Sequence, residues 1–351
     1  MKTYLVTGGA GFIGSNFIIY MLERYKEINI INLDKLTYAG NLENLKLVEH
    51  DRRYRFIQGD ICDKALVSKI FRDNDINYVV NFAAESHVDR SIRNPEIFVN
   101  TNVLGTLNLL NCAKEVWEDD GVWKENIKFH QVSTDEVYGS LGKEGYFTEK
   151  TPLDPHSPYA ASKTSADLMV KAYYDTYGMP VNITRCSNNY GRFQFPEKLI
   201  PLLINNCIKY KDLPIYGDGL NVRDWLYVED HCKAIDVVIN NGQVGKVYNV
   251  GGHNERTNIQ IVDNVISYLN INVDNKINDG LKKFVKDRKG HDRRYGIDPS
   301  KIKDELGWYP ETTFEVGIVK TIQWYLDNMD WMERVTSGEY ENYYKNMYVN
   351  A

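Results

Sequence analysis

Two adjacent carboxylates, Asp135 and Glu136, follow a short apolar run in the stretch IKFHQVSTDEVYG. Successive strand residues point to opposite faces of a sheet, so both can serve one site only if the chain bends after Thr134. If it does, one carboxylate can take a proton while its neighbour gives one, because close carboxylates resist double ionisation and share a proton. The alternative is a solvated turn. Further on, SPYAASKTSADLMV places Tyr159 and Lys163 four residues apart, on one face of a helix that starts after Pro158. A lysine beside a phenol stabilises the phenolate and lowers its pKa, which makes tyrosine usable as a base near neutral pH. The YxxxK spacing recurs at Tyr146 and Lys150, but there it runs into the prolines of TPLDPHSP and reads as loop.

A third motif supplies a place for a cofactor. TGGAGFIGS follows the first apolar run and opens a helix, with Gly8, Gly11 and Gly14 in GxxGxxG spacing and Gly9, Gly11 and Gly14 in GxGxxG spacing. A pyrophosphate sits well on such a helix N-terminus, where free N–H groups and the macrodipole favour an anion. Asp34 ends the next strand, twenty residues after Gly14. Its carboxylate can accept hydrogen bonds from an adenosine ribose and would repel a 2′-phosphate, which favours NAD over NADP. Asp60, closing the third strand, reads either as an adenine contact or as a strand-end cap.

The elements that must hold these residues alternate strictly. Strands are predicted at TYLVTG, INIINLD, YRFIQGD, YVVNFAA, IKFHQVS and VNITRCS, with helices such as SNFIIYMLERY and PEIFVNTNVLGTLNLLNCAKEVW between them. That order implies right-handed crossovers and an α/β, Rossmann-type doubly wound parallel sheet. Residues 1–187 are expected to form this nucleotide-binding domain with the catalytic groups. Residues 188–351, with looser punctuation, are expected to form a smaller α+β substrate-binding region whose segments interleave with it. No low-complexity linker divides them.

Composition narrows the class. The chain has 351 residues, 43% of them hydrophobic, and a net charge of -6, which argues against nucleic acid or an anionic membrane as the main partner. Its five cysteines show no zinc-type or disulfide spacing, so no metal is expected and a reduced, cytoplasmic setting fits. The first residues run straight into a strand and glycine turn, with no signal-peptide pattern, and no apolar run reaches the ~20 residues of a membrane span.

Together the motifs resemble the extended short-chain dehydrogenase/reductase family, and within it the dTDP-glucose 4,6-dehydratases. The segments that carry the resemblance span nearly the whole chain: TGGAGFIGSNF, DKLTYAGNLENL, NFAAESHVDRSI, STDEVYG, YAASKTSADL, RCSNNYG, FPEKLIPL, GDGLNVRDWLYVEDHCKAI, YNVGGHNE and GHDRRYGID. The resemblance implies tightly bound NAD, dTDP-glucose as substrate, a homodimer, and a role in rhamnose-type deoxysugar biosynthesis. It implies Tyr159 as the base for hydride transfer, Lys163 as its partner, and Thr134 as a contact to the sugar 4-oxygen. Asp135 would be the acid and Glu136 the base of an elimination. The NAD site would include Gly8, Gly11, Phe12, Ile13 and Gly14 from the turn, and Asp34, Lys35, Leu36 and Thr37 after the second strand. Asp60, Ile61, Ala83, Ala84, Thr101 and Asn189 would complete it with Tyr159 and Lys163. For the nucleotide sugar it implies Ser86, His87, Thr134, Asn188, Lys198 and Leu199, then Pro214, Tyr216, Arg223 and Asn258, and finally Arg288, His291 and Tyr295. The chain departs from the family pattern at Arg192 and Lys289, where proline is usual.

The paired carboxylates separate the competing functions. A nucleotide-sugar 4-epimerase on this fold needs Tyr159 and Lys163 but no elimination acid and base. A decarboxylase of UDP-uronates would need a cation for the substrate carboxylate. An NAD-binding sensor or scaffold would need the glycine turn and Asp34 alone. The basic run DRKGHDRR reads as a pyrophosphate site together with Arg223, with an ion-pair network as the competing reading for Arg293 and Arg294. The aromatic tail YENYYKNMYVN is expected to pack on the body or on a neighbour.

Overall fold

In a computed structural model, residues 1–287 and 290–336 are described here. Arg288, Lys289 and the aromatic tail lie outside the described residues. Seven parallel strands form the central sheet: β1 (Lys2–Thr7), β2 (Ile28–Asp34), β3 (Tyr54–Gln58), β4 (Tyr78–Asn81), β5 (Lys128–Thr134), β6 (Val181–Cys186) and β7 (Val247–Val250). Their order, β7-β6-β5-β4-β1-β2-β3, reverses direction at β1, the position where doubly wound sheets bind ligands.

Alternation along the strands builds a core on each face. Tyr4 and Val6 join Phe17, Ile18 and Met21 of helix α1 (Phe12–Arg24) on one side. Leu5 joins Val79, Phe129 and the helix α2 (Thr106–Trp117) on the other. The first core continues without a break into Tyr190, Leu203, Trp225, Ile261 and Tyr325 from the second half of the chain. Residues 188–336 are therefore packed onto the sheet, and β7 returns from them to its edge. The sequence reading has no strand at VYNV, because so short a run, broken by Asn249, carries no helix-alternation signal.

Two local features bear on the site. The helix expected over residues 95–117 is interrupted by a π-helical segment, Val99–Gly105, which carries Thr101. The catalytic-helix candidate α3 (Pro158–Tyr177) starts as its sequence requires: the Ser157 hydroxyl accepts from Ala160 N at 3.1 Å, Pro158 occupies the first turn, and Gly178 ends the helix with φ of 69°.

Candidate active site

The bend that the two carboxylates need is present. β5 ends at Thr134 and the chain turns at once into a 3-10 helix, Asp135–Tyr138. The Thr134 hydroxyl caps it, accepting from Glu136 N at 3.3 Å and donating to Asp135 Oδ1 at 3.2 Å. Both carboxylates thereby line one cavity, together with Thr134, Tyr159 and Lys163. Asp135 is buried, and its Oδ2 has no hydrogen-bond partner in the protein. Burial raises its pKa far above the usual carboxylate range, Glu136 and Asp224 push it further, and Arg223 opposes them. Its surroundings therefore favour the protonated form of Asp135.

Tyr159 and Lys163 sit one turn apart on α3, both buried. Lys163 Nζ donates to Val132 O at 2.7 Å, and its burial lowers the ammonium pKa. The Tyr159 phenol is not lowered as the lysine pairing leads one to expect. Burial raises its pKa, and Glu136, Cys186 and Asp135 add to the effect, while a hydrogen bond with Thr134 pulls the other way. The acidic groups oppose ionisation of the phenol, and the Lys163 ammonium donates to a backbone carbonyl.

The same cavity runs back to the glycine turn. Gly8, Gly11, Phe12, Ile13, Gly14, Asp34, Lys35, Thr37, Asp60, Ile61, Ala83, Ala84, Thr101 and Asn189 all line it, whereas Leu36 does not. The geometry fits a dinucleotide. Gly8 has φ of 66°, and a Cβ there would lie 2.6 Å from Ala83 N. A Cβ at Gly11 would make one tight contact, with Gly8 O at 3.2 Å, and Gly11 lines the cavity. Asp34 accepts from Ala10 N at 2.9 Å and Leu36 N at 2.8 Å, which ties the turn to the strand end. Burial raises the Asp34 pKa and those two amides restrain the rise. Lys35 pairs with Asp60 at 2.7 Å.

The nucleotide-sugar candidates divide. Ser86, Asn188 and Lys198 line the cavity, and Lys198 Nζ donates to Ser86 O at 2.9 Å. His87, Leu199, Pro214, Tyr216, Asn258 and His291 do not line it. Arg223 and Tyr295 do not line it either, but both interact electrostatically with its acids: Glu136 raises the Tyr295 pKa and Arg223 lowers that of Asp135. Arg223 lies 4.2 Å from the Tyr295 ring, and its Nη2 donates to Asp292 O at 2.9 Å. Arg293 and Arg294 are held in ion pairs with Asp218 and Glu255, the competing reading for that basic run. Arg192 has a structural partner, its Nε donating to Asn16 Oδ1 at 2.7 Å.

The sequence reading misses Glu197. It is buried in the cavity wall, accepts from the Tyr38 hydroxyl at 2.9 Å, and lies 3.4 Å from Arg90, whose guanidinium covers the Tyr38 ring at 3.6 Å. Glu197 precedes Lys198 in FPEKLIPL, but nothing in that run separates it from a surface glutamate.

A family profile described as GDP-mannose 4,6 dehydratase matches residues 5–321. The chain belongs to this dehydratase family. Within it, the dTDP-glucose 4,6-dehydratase of Xanthomonas campestris is 51% identical over 97% of both chains. The crystal structure of the dTDP-glucose 4,6-dehydratase of Bacillus anthracis in complex with NAD is 50% identical, superposes with a TM-score of 0.86, and covers 95% of this chain and 100% of its own. That of Streptomyces venezuelae, solved with NAD bound, is 45% identical with a TM-score of 0.88, covering 95% and 99%.

Proposed function

We propose that this enzyme dehydrates dTDP-glucose to dTDP-4-keto-6-deoxyglucose with tightly held NAD, a step toward rhamnose-type deoxysugars. The observation that carries the reading is the pair Asp135 and Glu136 in one cavity with Tyr159 and Lys163, with burial raising the Asp135 pKa.

Each residue has a task set by its place. Thr134 and Tyr159 face the sugar 4-oxygen, and Tyr159 takes its proton. NAD, when bound, supplies a cationic ring and the temporary removal of a hydride at C4 with its return at C6. The ketone at C4 acidifies the C5 hydrogen, which Glu136 removes. Asp135 gives its proton to the C6 hydroxyl, which leaves as water, and a proton returns to C5 from Glu136. The two carboxylates act on neighbouring carbons, which is why they are neighbours themselves. The turn residues Gly8 to Gly14, with Asp34 and Asp60, hold the dinucleotide. Residues 188–336 supply the nucleotide-sugar side through Asn188, Lys198, Arg223 and Tyr295.

A second copy of the chain is the expected partner. The helical segments 95–117 and 158–177 leave Val99, Leu104 and Leu168 about half exposed, at 49%, 50% and 52%, an apolar face that a homodimer would cover. Light scattering of the purified protein tests this. The five free cysteines suit a reducing cytoplasm. Among the described residues no helix is long and apolar enough to cross a membrane.

Incubating the purified protein with dTDP-glucose in deuterated water, without added NAD, tests the reaction. A 4-keto-6-deoxy product with solvent deuterium at C5 supports it; recovery of dTDP-galactose would replace it with a 4-epimerase.

A further inference from the structure

We propose that Asp224 is a positioning residue that keeps the elimination proton on Asp135. This rests on the reading of Asp135 as the acid.

Asp224 lies on the strand Val222–Tyr227, which runs parallel to Asn188–Tyr190 with Trp225 opposite Asn188. β5 and β6 place Thr134 opposite Cys186. Asp135 and Asp224 therefore flank the same short segment, Cys186–Asn188, from its two sides, with backbones about two strand spacings, roughly 10 Å, apart. Both are 1% exposed.

Their hydrogen bonding differs. Asp224 Oδ2 accepts from Gly252 N and Oδ1 from Asn254 N, both at 2.7 Å. Two backbone donors at that distance stabilise a carboxylate and offer nothing to a carboxylic acid. Asp135 accepts only from the Thr134 hydroxyl, and its Oδ2 has no partner. Burial raises the Asp224 pKa as well, but the Asn254 and Gly252 amides and the Ser187 hydroxyl oppose the rise, so of two buried acids the one with the amides is the one to carry the charge. The other carries the proton, since a second buried charge at this range is unfavourable.

The other groups facing Asp135 are Glu136 on its own turn, Arg223 beside Asp224, Tyr159 on α3 and Cys186 at the end of β6. Arg223 and the Thr134 hydroxyl bond favour Asp135 ionisation. Burial holds the Cys186 thiol up at about 12, and the Tyr159 phenol is also raised, so both are neutral at pH 7. Asp224 thus offsets Arg223, its chain neighbour. Without the Asp224 charge the Asp135 midpoint falls and the proton is lost at lower pH.

The test follows the aspartate carboxyls by 13C NMR in the full-length protein, with Asp135→Asn and Asp224→Asn each assigning one signal. In wild type, Asp135 is expected protonated and Asp224 ionised at pH 7. In Asp224→Asn the Asp135 midpoint is expected to drop by about one pH unit or more, and the alkaline limb of the kcat profile to move down with it. Asp224→Glu, which keeps the charge, is expected to restore most of the shift. An Asp135 midpoint unchanged in Asp224→Asn overturns the proposal and leaves the acid assignment standing. An Asp135 ionised at pH 7 in wild type removes both. If Asp224→Asn does not fold, Asp224→Glu assigns the Asp224 signal by its disappearance from the aspartate spectrum, and the wild-type spectrum decides: a protonated Asp224 overturns the proposal, and an ionised one beside a protonated Asp135 supports it.

Discussion

Two alanine substitutions in the glycine turn should fail for different reasons. At Gly14 an added Cβ would lie 2.4 Å from Gly8 O and 2.8 Å from Gly9 Cα. Ordinary contact is about 3.5 Å, so the methyl is roughly 1 Å too close. Both obstacles are backbone, and no side chain can swing away. Helix α1 must back off from the turn, an overpacking cost of about 1–3 kcal/mol. At Gly11 the Cβ would meet only Gly8 O, at 3.2 Å, and the backbone has φ of -77°. Gly11→Ala should therefore cost under about 1 kcal/mol of stability, yet place a methyl in the cavity where the pyrophosphate must approach. Urea unfolding of the NAD-stripped proteins and NAD released per chain on acid denaturation separate the two effects. Gly14→Ala should lose stability and NAD together, and Gly11→Ala should lose NAD by tenfold or more at near-native stability. A Gly11→Ala protein with a full complement of NAD would refute the cradle argument, and a Gly14→Ala protein as stable as wild type would refute the steric one.

Glu136→Gln and Asp135→Asn should each slow dehydration by about 10²–10⁴-fold while leaving C4 oxidation intact, seen as reduced-cofactor absorbance that builds up on mixing with dTDP-glucose; unchanged turnover would remove the elimination roles. Arg185 and Asp167 form a buried ion pair at 2.9 Å, with Arg185 also donating to the Tyr138 hydroxyl. Arg185→Met should cost about 3–5 kcal/mol by stranding the Asp167 charge, and Arg185→Met with Asp167→Leu should recover much of it, as denaturant melts would report. His130 and His231 are fully buried, and burial lowers both to about 3. The unfolded chain binds protons at these histidines from about pH 6.5 downward while the native state refuses them. Stability should therefore be full above pH 6.5 and fall progressively toward pH 3. His130→Gln should flatten the decline in thermal melts between pH 7 and pH 5.

Much of the architecture is legible along the chain because it is local. Six of the seven strands follow from apolar runs set between helical patterns, and α3 starts where Ser157 and Pro158 say it must. β7 escapes because its four residues are short and its partner, β6, lies some sixty residues away. The glycine turn, Asp34 and the Tyr159/Lys163 spacing are legible for the same reason: one turn or one crossover sets their geometry. Glu197 is not, because its partners come from distant parts of the chain, Tyr38 from a loop and Arg90 from the short helix Val88–Arg93.

The sequence by itself determined which groups share a face or a turn: Asp135 beside Glu136, Lys163 one helical turn from Tyr159, Asp34 at the end of the strand after the glycines. Tertiary structure decided how deeply they are buried and which distant charges act on them. The Asp135 pKa is raised first by burial, then by Glu136 beside it and by Asp224, a residue 89 positions along the chain, and the Tyr159 phenol is raised by burial and by the acids that β5 and β6 bring against it. Spacing is fixed by bonds between near neighbours. Solvation and electrostatic field are sums over every group that folding brings close, and those groups are scattered through the chain.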